Sequence, residues 1–163
     1  LDLGGIAKGH CIDLLVERLN CLGYPNVFVE WGGEIRASGK HPAGRPWTIF
    51  ISCLGSEKLE EAIDKVSLCQ QAIATSGDYL QYWDIEGISY FHIFHPRTFQ
   101  PLKKTSTSIA SASVLASSCA LADALATTAL MFPSTVEAEA WLEEIKKEHP
   151  EIVFWLVART EKK

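Results

Sequence analysis

The sequence predicts an α+β domain in which a mixed, mostly antiparallel sheet is packed against helices. Two observations carry that prediction. Helical patterns beginning near Ala7, Cys119 and Thr135 stand well apart, and the stretch between the first two is rich in short strand patterns marked off by turn residues. A doubly wound parallel sheet would alternate strand and helix throughout.

With 163 residues, 47% of them apolar and 21% charged, the chain is expected to bury a single core without disulfides or a structural metal. Residues 1–158 are assigned to that core and 159–163 to a frayed tail. No apolar run is long enough to cross a membrane as a helix. A net charge of -5 argues against a nucleic-acid surface, because phosphate affinity comes from Lys and Arg. Cys11, Cys21, Cys53, Cys69 and Cys119 contain no Cys-x-x-Cys pair, so they are expected to be reduced and packed. The opening at Leu1 reads as the end of a strand, and no signal peptide is visible. A piece of a longer protein is therefore expected.

Leu1 to Asp13 places an apolar entry, the pair Gly4-Gly5 and Lys8 directly ahead of a helical pattern. That arrangement lets a backbone approach phosphate oxygens with a cation alongside. From Ala7, the residues Cys11, Leu14, Leu15, Leu19 and Leu22 recur at helical spacing, with Glu17 and Arg18 outward and Gly23 as the stop. Val27 to Trp31 reads as a buried strand, Gly32-Gly33 as a break and Glu34 to Ser38 as a second strand. Lys40 to Pro46 is a loop, and Trp47 to Ser52 alternates like a strand, giving an antiparallel ribbon. Ser56 is expected to cap a short helix carrying Leu59, Ala62, Ile63 and Val66, with Glu57, Glu60 and Glu61 solvated.

Gln71 to Thr75 is a short apolar strand ending in Ser76-Gly77-Asp78. Leu80 to Ile85 and Ile88 to Phe94 form a hairpin about Glu86-Gly87. In its second strand Tyr90, His92 and Phe94 share one face, and Phe91, Ile93 and His95 the other. The loop Pro96 to Pro101 follows. Thr105 to Val114 reads as a strand, after which Ser117 or Ser118 caps a helix over Cys119 to Met131, apolar nearly all round and so buried. Ser134 with Glu137 makes a capping box for a helix bearing Val136, Ala140 and Ile145, closed by Pro150. Ile152 to Ala158 is a final core strand.

Asp123 stands out because it lies among Cys119, Ala120, Leu121, Ala122, Ala124, Leu125 and Ala126. An ionised carboxylate there needs a hydrogen-bonded or metal partner. Thr127, one turn on, adds a hydroxyl oxygen from the same side, and two hard donors at that spacing suit Mg2+ or Ca2+. The alternative is an Asp bonded to neighbouring backbone N–H groups, with Thr127 bonding back to the preceding turn. Gly4-Gly5 and Lys8 serve a phosphate or only a bend and a surface. His92 is a general base or a packed histidine, and Arg97 grips a phosphate or ties down its loop.

Five ordered blocks bear on these alternatives: Asp2-Leu3-Gly4-Gly5-Ile6-Ala7-Lys8-Gly9, Gly32-Gly33-Glu34-Ile35-Arg36-Ala37, Ala72-Ile73-Ala74-Thr75-Ser76-Gly77-Asp78-Tyr79, His92-Ile93-Phe94-His95-Pro96-Arg97-Thr98 and Ala122-Asp123-Ala124-Leu125-Ala126-Thr127. Together they resemble the ApbE family of FAD:protein FMN transferases. The resemblance implies a reaction in which Mg2+-bound FAD is split at its pyrophosphate, FMN passes to a Thr or Ser hydroxyl of a target protein, and AMP leaves. It implies FAD contacts at Asp2, Lys8 and Phe94, metal ligands at Gly5 (by its carbonyl), Asp123 and Thr127, and a general base at His92.

It also implies a membrane redox-complex subunit as target, and a place in the periplasm or anchored to the membrane on the exported side. An upstream region supplying walls of the isoalloxazine pocket is expected too, without which this piece would fold yet bind FAD poorly. Alternatives are an FAD pyrophosphatase giving FMN and AMP, and a non-catalytic flavin-binding protein. Two departures occur where the family usually reads His-x-x-Asp-Pro-Arg-Thr-Gly. His95 replaces the aspartate, which is expected to loosen the loop, and Phe99 replaces the glycine, which calls for a turn without a positive backbone angle. Some members carry an acid at the position of Ala126, so this metal site is expected to have one carboxylate fewer.

Overall fold

The structure, a computed structural model, describes residues 2–52, 58–79 and 81–159. Its elements in order are α1 (Ala7–Cys21), β1 (Val27–Trp31), β2 (Glu34–Ser38), β3 (Trp47–Ser52), β4 (Ala62–Leu68), β5 (Gln71–Gly77), β6 (Tyr82–Ile85), β7 (Ile88–Phe94), β8 (Pro101–Lys103), β9 (Ile109–Ala116), α2 (Cys119–Ala129), α3 (Thr135–Glu148) and β10 (Val153–Ala158). The α+β prediction holds. Among the described residues the strands form a five-stranded sheet in the order β1-β2-β5-β9-β10, a β3-β4 ribbon and a three-stranded β6-β7-β8 sheet, with every pairing antiparallel.

Both faces of the five-stranded sheet are covered, and side-chain alternation sorts its residues between them. Ala72, Ala74, Ala112, Val114 and Ala116 face the helices, where small residues let α1 and α2 approach closely. Ile73 and Leu115 point the other way, onto Ile51, Val66 and Leu68 of the β3-β4 ribbon. This double cover is why β9 is buried at every position.

Local signals account for most boundaries. Gly32 (φ 64°) and Gly33 (φ 102°) turn β1 into β2, and Glu86 (φ 50°) and Gly87 (φ 79°) turn β6 into β7, two-residue hairpins with positive φ at both centres. Ser118 Oγ accepts from Leu121 N and Ser134 Oγ from Glu137 N, as the capping patterns predicted.

Several expectations are corrected. The helix placed at Ala62, Ile63 and Val66 is strand β4, preceded by one 3-10 turn at Leu59–Glu61. Val66 and Leu68 are its buried positions, two residues apart, and pairing with the preceding strand β3 decides the outcome. Its proposed cap Ser56, with Glu57, lies outside the described residues, as do Cys53 and Leu80. On α1 the buried residues are Gly9, Ile12, Asp13 and Val16, whereas Leu14, Leu15 and Leu22 are exposed. On α3 Ala138 and Leu142 are buried while Val136 and Ala140 are exposed. β1 and β10 are edge strands and only partly buried. Cys11, Cys21 and Cys69 are exposed free thiols; only Cys119 among the described cysteines is packed, and burial pushes its thiol up to about 12. Arg159, given to the frayed tail, is tied down: its guanidinium pairs with the buried Asp78 and its N–H donates to Ser108 O.

The loop after β7 departs from expectation in an instructive way. Phe99 does adopt a positive φ, 54°, and is exposed. The turn is held by Phe99 N donating to His95 O and His95 N donating to Gln100 O, both at 2.9 Å, while His95 Nδ1 accepts from Arg97 N at 3.2 Å. That last bond is the one a short acceptor side chain makes two residues ahead, so His95 fastens the loop in place of a carboxylate. A Cβ-bearing residue in the left-handed region costs about 1–2 kcal/mol. Phe99→Gly is therefore expected to stabilise the chain by about 1 kcal/mol after the extra unfolded-state freedom of glycine is counted. Urea unfolding checks this, and an unchanged or lower midpoint would contradict it.

Candidate active site

The site is built where the turn before α1 and the first residues of α1 lie along α2. The turn before α1 is closed by Ile6 N and Ala7 N donating to Leu3 O, and Asp2 Oδ1 accepts from Gly4 N at 2.8 Å. Asp2 thus braces the glycine turn. A Cβ on Gly5 would lie 2.9 Å from Thr127 Cγ2 and 3.2 Å from Thr127 Oγ1. A larger residue would have to push the Thr127 side chain aside for the turn to come this close to α2. A Cβ on Gly9 would lie 2.4 Å from Cys119 O, so the two helices cross backbone against backbone at that point.

Asp123 is 1% exposed, and its Oδ2 accepts from Gly9 N at 3.1 Å. The partner is an amide of the other helix rather than a neighbour on its own. Thr127 Oγ1 lies 3.0 Å from Ser76 Oγ on β5. Gly5 therefore shares one corner with Asp123 and Thr127, over a hundred residues away in sequence. Burial holds the Asp123 carboxyl above the ordinary carboxylate range, with the Gly9 bond and the charge of Lys8 opposing. A carboxylate, a hydroxyl and a turn carbonyl are the hard oxygen donors that suit Mg2+ or Ca2+. No group of three or more His, Cys, Asp and Glu able to hold a metal occurs among the described residues, so a cation here would lean on few carboxylates.

Lys8 Nζ donates to Glu34 Oε1 at 2.6 Å beneath the Gly32-Gly33 hairpin. The Lys8 side chain is 39% exposed while Glu34 is 1% exposed, and Glu34 Oε2 is buried without a partner. Lys8 is thus a half-exposed side chain whose ammonium is anchored on a buried carboxylate. His92 and Phe94 lie on the exposed face of β7, opposite the buried Phe91 and Ile93. They stand on the three-stranded sheet, not on the sheet that carries the Asp123 corner.

The ApbE family profile matches residues 1–154. The chain belongs to the ApbE family. Among curated ApbE relatives, the FAD:protein FMN transferase of Chlamydia pneumoniae is 46% identical over 144 residues, which cover 88% of this chain and 43% of that protein. The one from Vibrio cholerae is 40% identical over 129 residues, 78% of this chain and 37% of that protein. The solved apo structure of Pseudomonas stutzeri flavinyl transferase ApbE superposes with a TM-score of 0.78 at 32% identity, covering 98% of this chain and 46% of that one. The α+β architecture is thus that of ApbE flavin transferases, and the chain spans less than half the length of the curated relatives it matches.

The family resemblance brought Gly5, Asp123 and Thr127 to one place and included Gly9 and Ser76 without a role, but Asp13 was missed. It named Glu34 without a role. An acid at position 13 between Ile12 and Leu14 is the signal that was available.

Glu34 yields a pH prediction. Burial, as the largest cause, raises its carboxyl above the ordinary value of 4.5; Lys8 opposes the shift and the charge of Asp123 adds to it. A carboxyl with a higher pKa folded than unfolded contributes stability below its unfolded value, and that contribution is lost as pH rises through the folded one. Glu34→Gln should therefore have a higher Tm than the wild type at neutral pH, the gap narrowing as the buffer is taken below 4.5. A gap independent of pH in thermal unfolding would contradict the assignment.

Proposed function

We propose that the full protein transfers the FMN moiety of FAD to a Thr or Ser hydroxyl of a target redox protein, releasing AMP, with Mg2+ (or Ca2+) as cofactor. The observation that carries this reading is the convergence of Gly5, Asp123 and Thr127 at the N-terminus of α1 beside Lys8. A pyrophosphate is the ligand such a corner suits, since a helix N-terminus and an ammonium both attract phosphate oxygens. The oxygen donors of Gly5, Asp123 and Thr127 fit a hard divalent ion, which when bound would neutralise charge on those oxygens.

In this reading Lys8, held by Glu34, grips the phosphates, with Asp2 bracing the turn that faces them. The exposed ring of Phe94 offers a surface for the flavin. His92 takes the proton of the attacking hydroxyl as its oxygen bonds to the FMN-side phosphorus and the bond to AMP breaks. Positioning and charge neutralisation supply most of the rate. The target is read as a membrane redox-complex subunit, and the location as the exported, periplasmic side.

Because His92 is exposed, water can take the place of the hydroxyl, which is the pyrophosphatase reading. Chromatography of the nucleotides after incubation with FAD, Mg2+ and a threonine-bearing acceptor separates the possibilities. AMP without free FMN is expected. AMP and FMN in equal amounts would replace transfer by hydrolysis, and unchanged FAD would leave a binding protein.

A further inference from the structure

Asp13 makes, from α1, the same kind of bond that Asp123 makes from α2. Each carboxylate stands four residues after the point where the helices cross, Gly9 on one and Cys119 on the other, and each reaches across to amides at the start of the opposite helix. Asp13 Oδ1 accepts from Cys119 N at 2.8 Å and Oδ2 from Ala120 N at 2.9 Å, while Asp123 Oδ2 accepts from Gly9 N at 3.1 Å. With Ser118 Oγ accepting from Leu121 N and Ser118 O from Ala122 N, all four leading amides of α2 are satisfied. Arg36 Nη1 holds Asp13 Oδ1 from β2 at 2.7 Å.

We infer that Asp13 is a positioning residue for the cation corner, setting the register of Gly5 on one side against Asp123 and Thr127 on the other. The inference rests on the cation reading of that corner. The division of labour follows from the bonds. If Asp123 alone tied α1 to α2, the attachment would depend on the carboxylate a cation must recruit. Asp13 instead carries the attachment through two amides at the positive end of α2, backed by Arg36, and Asp123 keeps a single bond. Loss of the Asp13 clasp would let Gly5 and Thr127 drift apart without removing a ligand.

Mn2+ binding by the full chain, followed by electron paramagnetic resonance of the free ion, tests this without any turnover. Asn keeps one oxygen but turns an NH2 toward the second amide. Asp13→Asn is therefore expected to bind Mn2+ about tenfold more weakly, as loss of an outer support does elsewhere. Val66→Ala, in the ribbon on the far face of the sheet, lowers stability without touching the clasp and should bind as the wild type does. If Asp13→Asn does not fold, Arg36→Gln leaves both amide bonds in place and should still weaken binding severalfold. Unchanged affinity in the clasp variants, or equal weakening in Val66→Ala, would overturn the inference while Asp123→Ala still abolished binding. A folded wild type that binds no Mn2+ would overturn the cation reading and this inference with it.

Discussion

Replacing Asp123 with alanine is expected to reduce FMN transfer by at least about 100-fold at any Mg2+ concentration, because supports one shell further out already cost 10–100-fold when removed. The protein should remain folded. Asp123 contributes one bond to the α1–α2 contact, and its burial is costly enough to raise its carboxyl, so its removal trades a lost hydrogen bond against a relieved desolvation penalty. Initial rates at saturating FAD over a Mg2+ series, beside circular dichroism of the same samples, check both halves. A variant that regains full rate at high Mg2+ would show that Asp123 only tunes affinity, and one that keeps its rate throughout would remove it from the site.

Gly9→Ala is the second large effect, and it acts through shape. The added methyl would sit 2.4 Å from Cys119 O and 2.6 Å from Cys119 C, backbone atoms that cannot swing aside as a side-chain end can. The helices must separate, stretching the Gly9–Asp123 bond and both Asp13 bonds together. A cost of about 3 kcal/mol is expected from overpacking, or a fall in Tm of about 6–12 °C for a chain of this size. Alanine's better helix propensity offsets less than about 1 kcal/mol of that. FAD-dependent activity should fall further than stability explains, since Gly5 and Thr127 move apart with the helices. A Tm equal to the wild type's would mean the helices do not meet at Gly9.

How much of this was legible in the sequence depends on whether a signal was local. The break at Gly32-Gly33, the hairpin about Glu86-Gly87, the Ser118 and Ser134 caps and the buried α2 each follow from a few adjacent residues, and all appeared as expected. β4 did not, because Ala62, Ile63 and Val66 fit a helical stripe as well as a strand. The choice was made by β3, Trp155 and the sheet face above them, all outside the stretch itself; Trp155 Nε1 donates to Asp64 Oδ2 from the far end of the chain. On α1 two apolar stripes competed. The stripe with more leucines lost, because Gly9 and Asp13 fix the buried face through close approach and hydrogen bonding, properties that hydropathy does not register.

The same contrast explains the site. Asp123 was conspicuous as the one charge in an apolar helix. Asp13 sits in a helix of mixed character, and its role appears only when α2 is laid across it. Phe99 adopted a backbone angle that phenylalanine disfavours because two hydrogen bonds about His95 over-determine the turn.

The most direct test of the account is the intact mass of a threonine-bearing acceptor protein after incubation with the full protein, FAD and Mg2+. The acceptor is predicted to gain the mass of one FMN, only with Mg2+ present, and not with Asp123→Ala or His92→Ala in place of the wild type. An acceptor of unchanged mass, or one modified equally well by the Asp123→Ala protein, would contradict the assignment of this corner as the centre of flavin transfer.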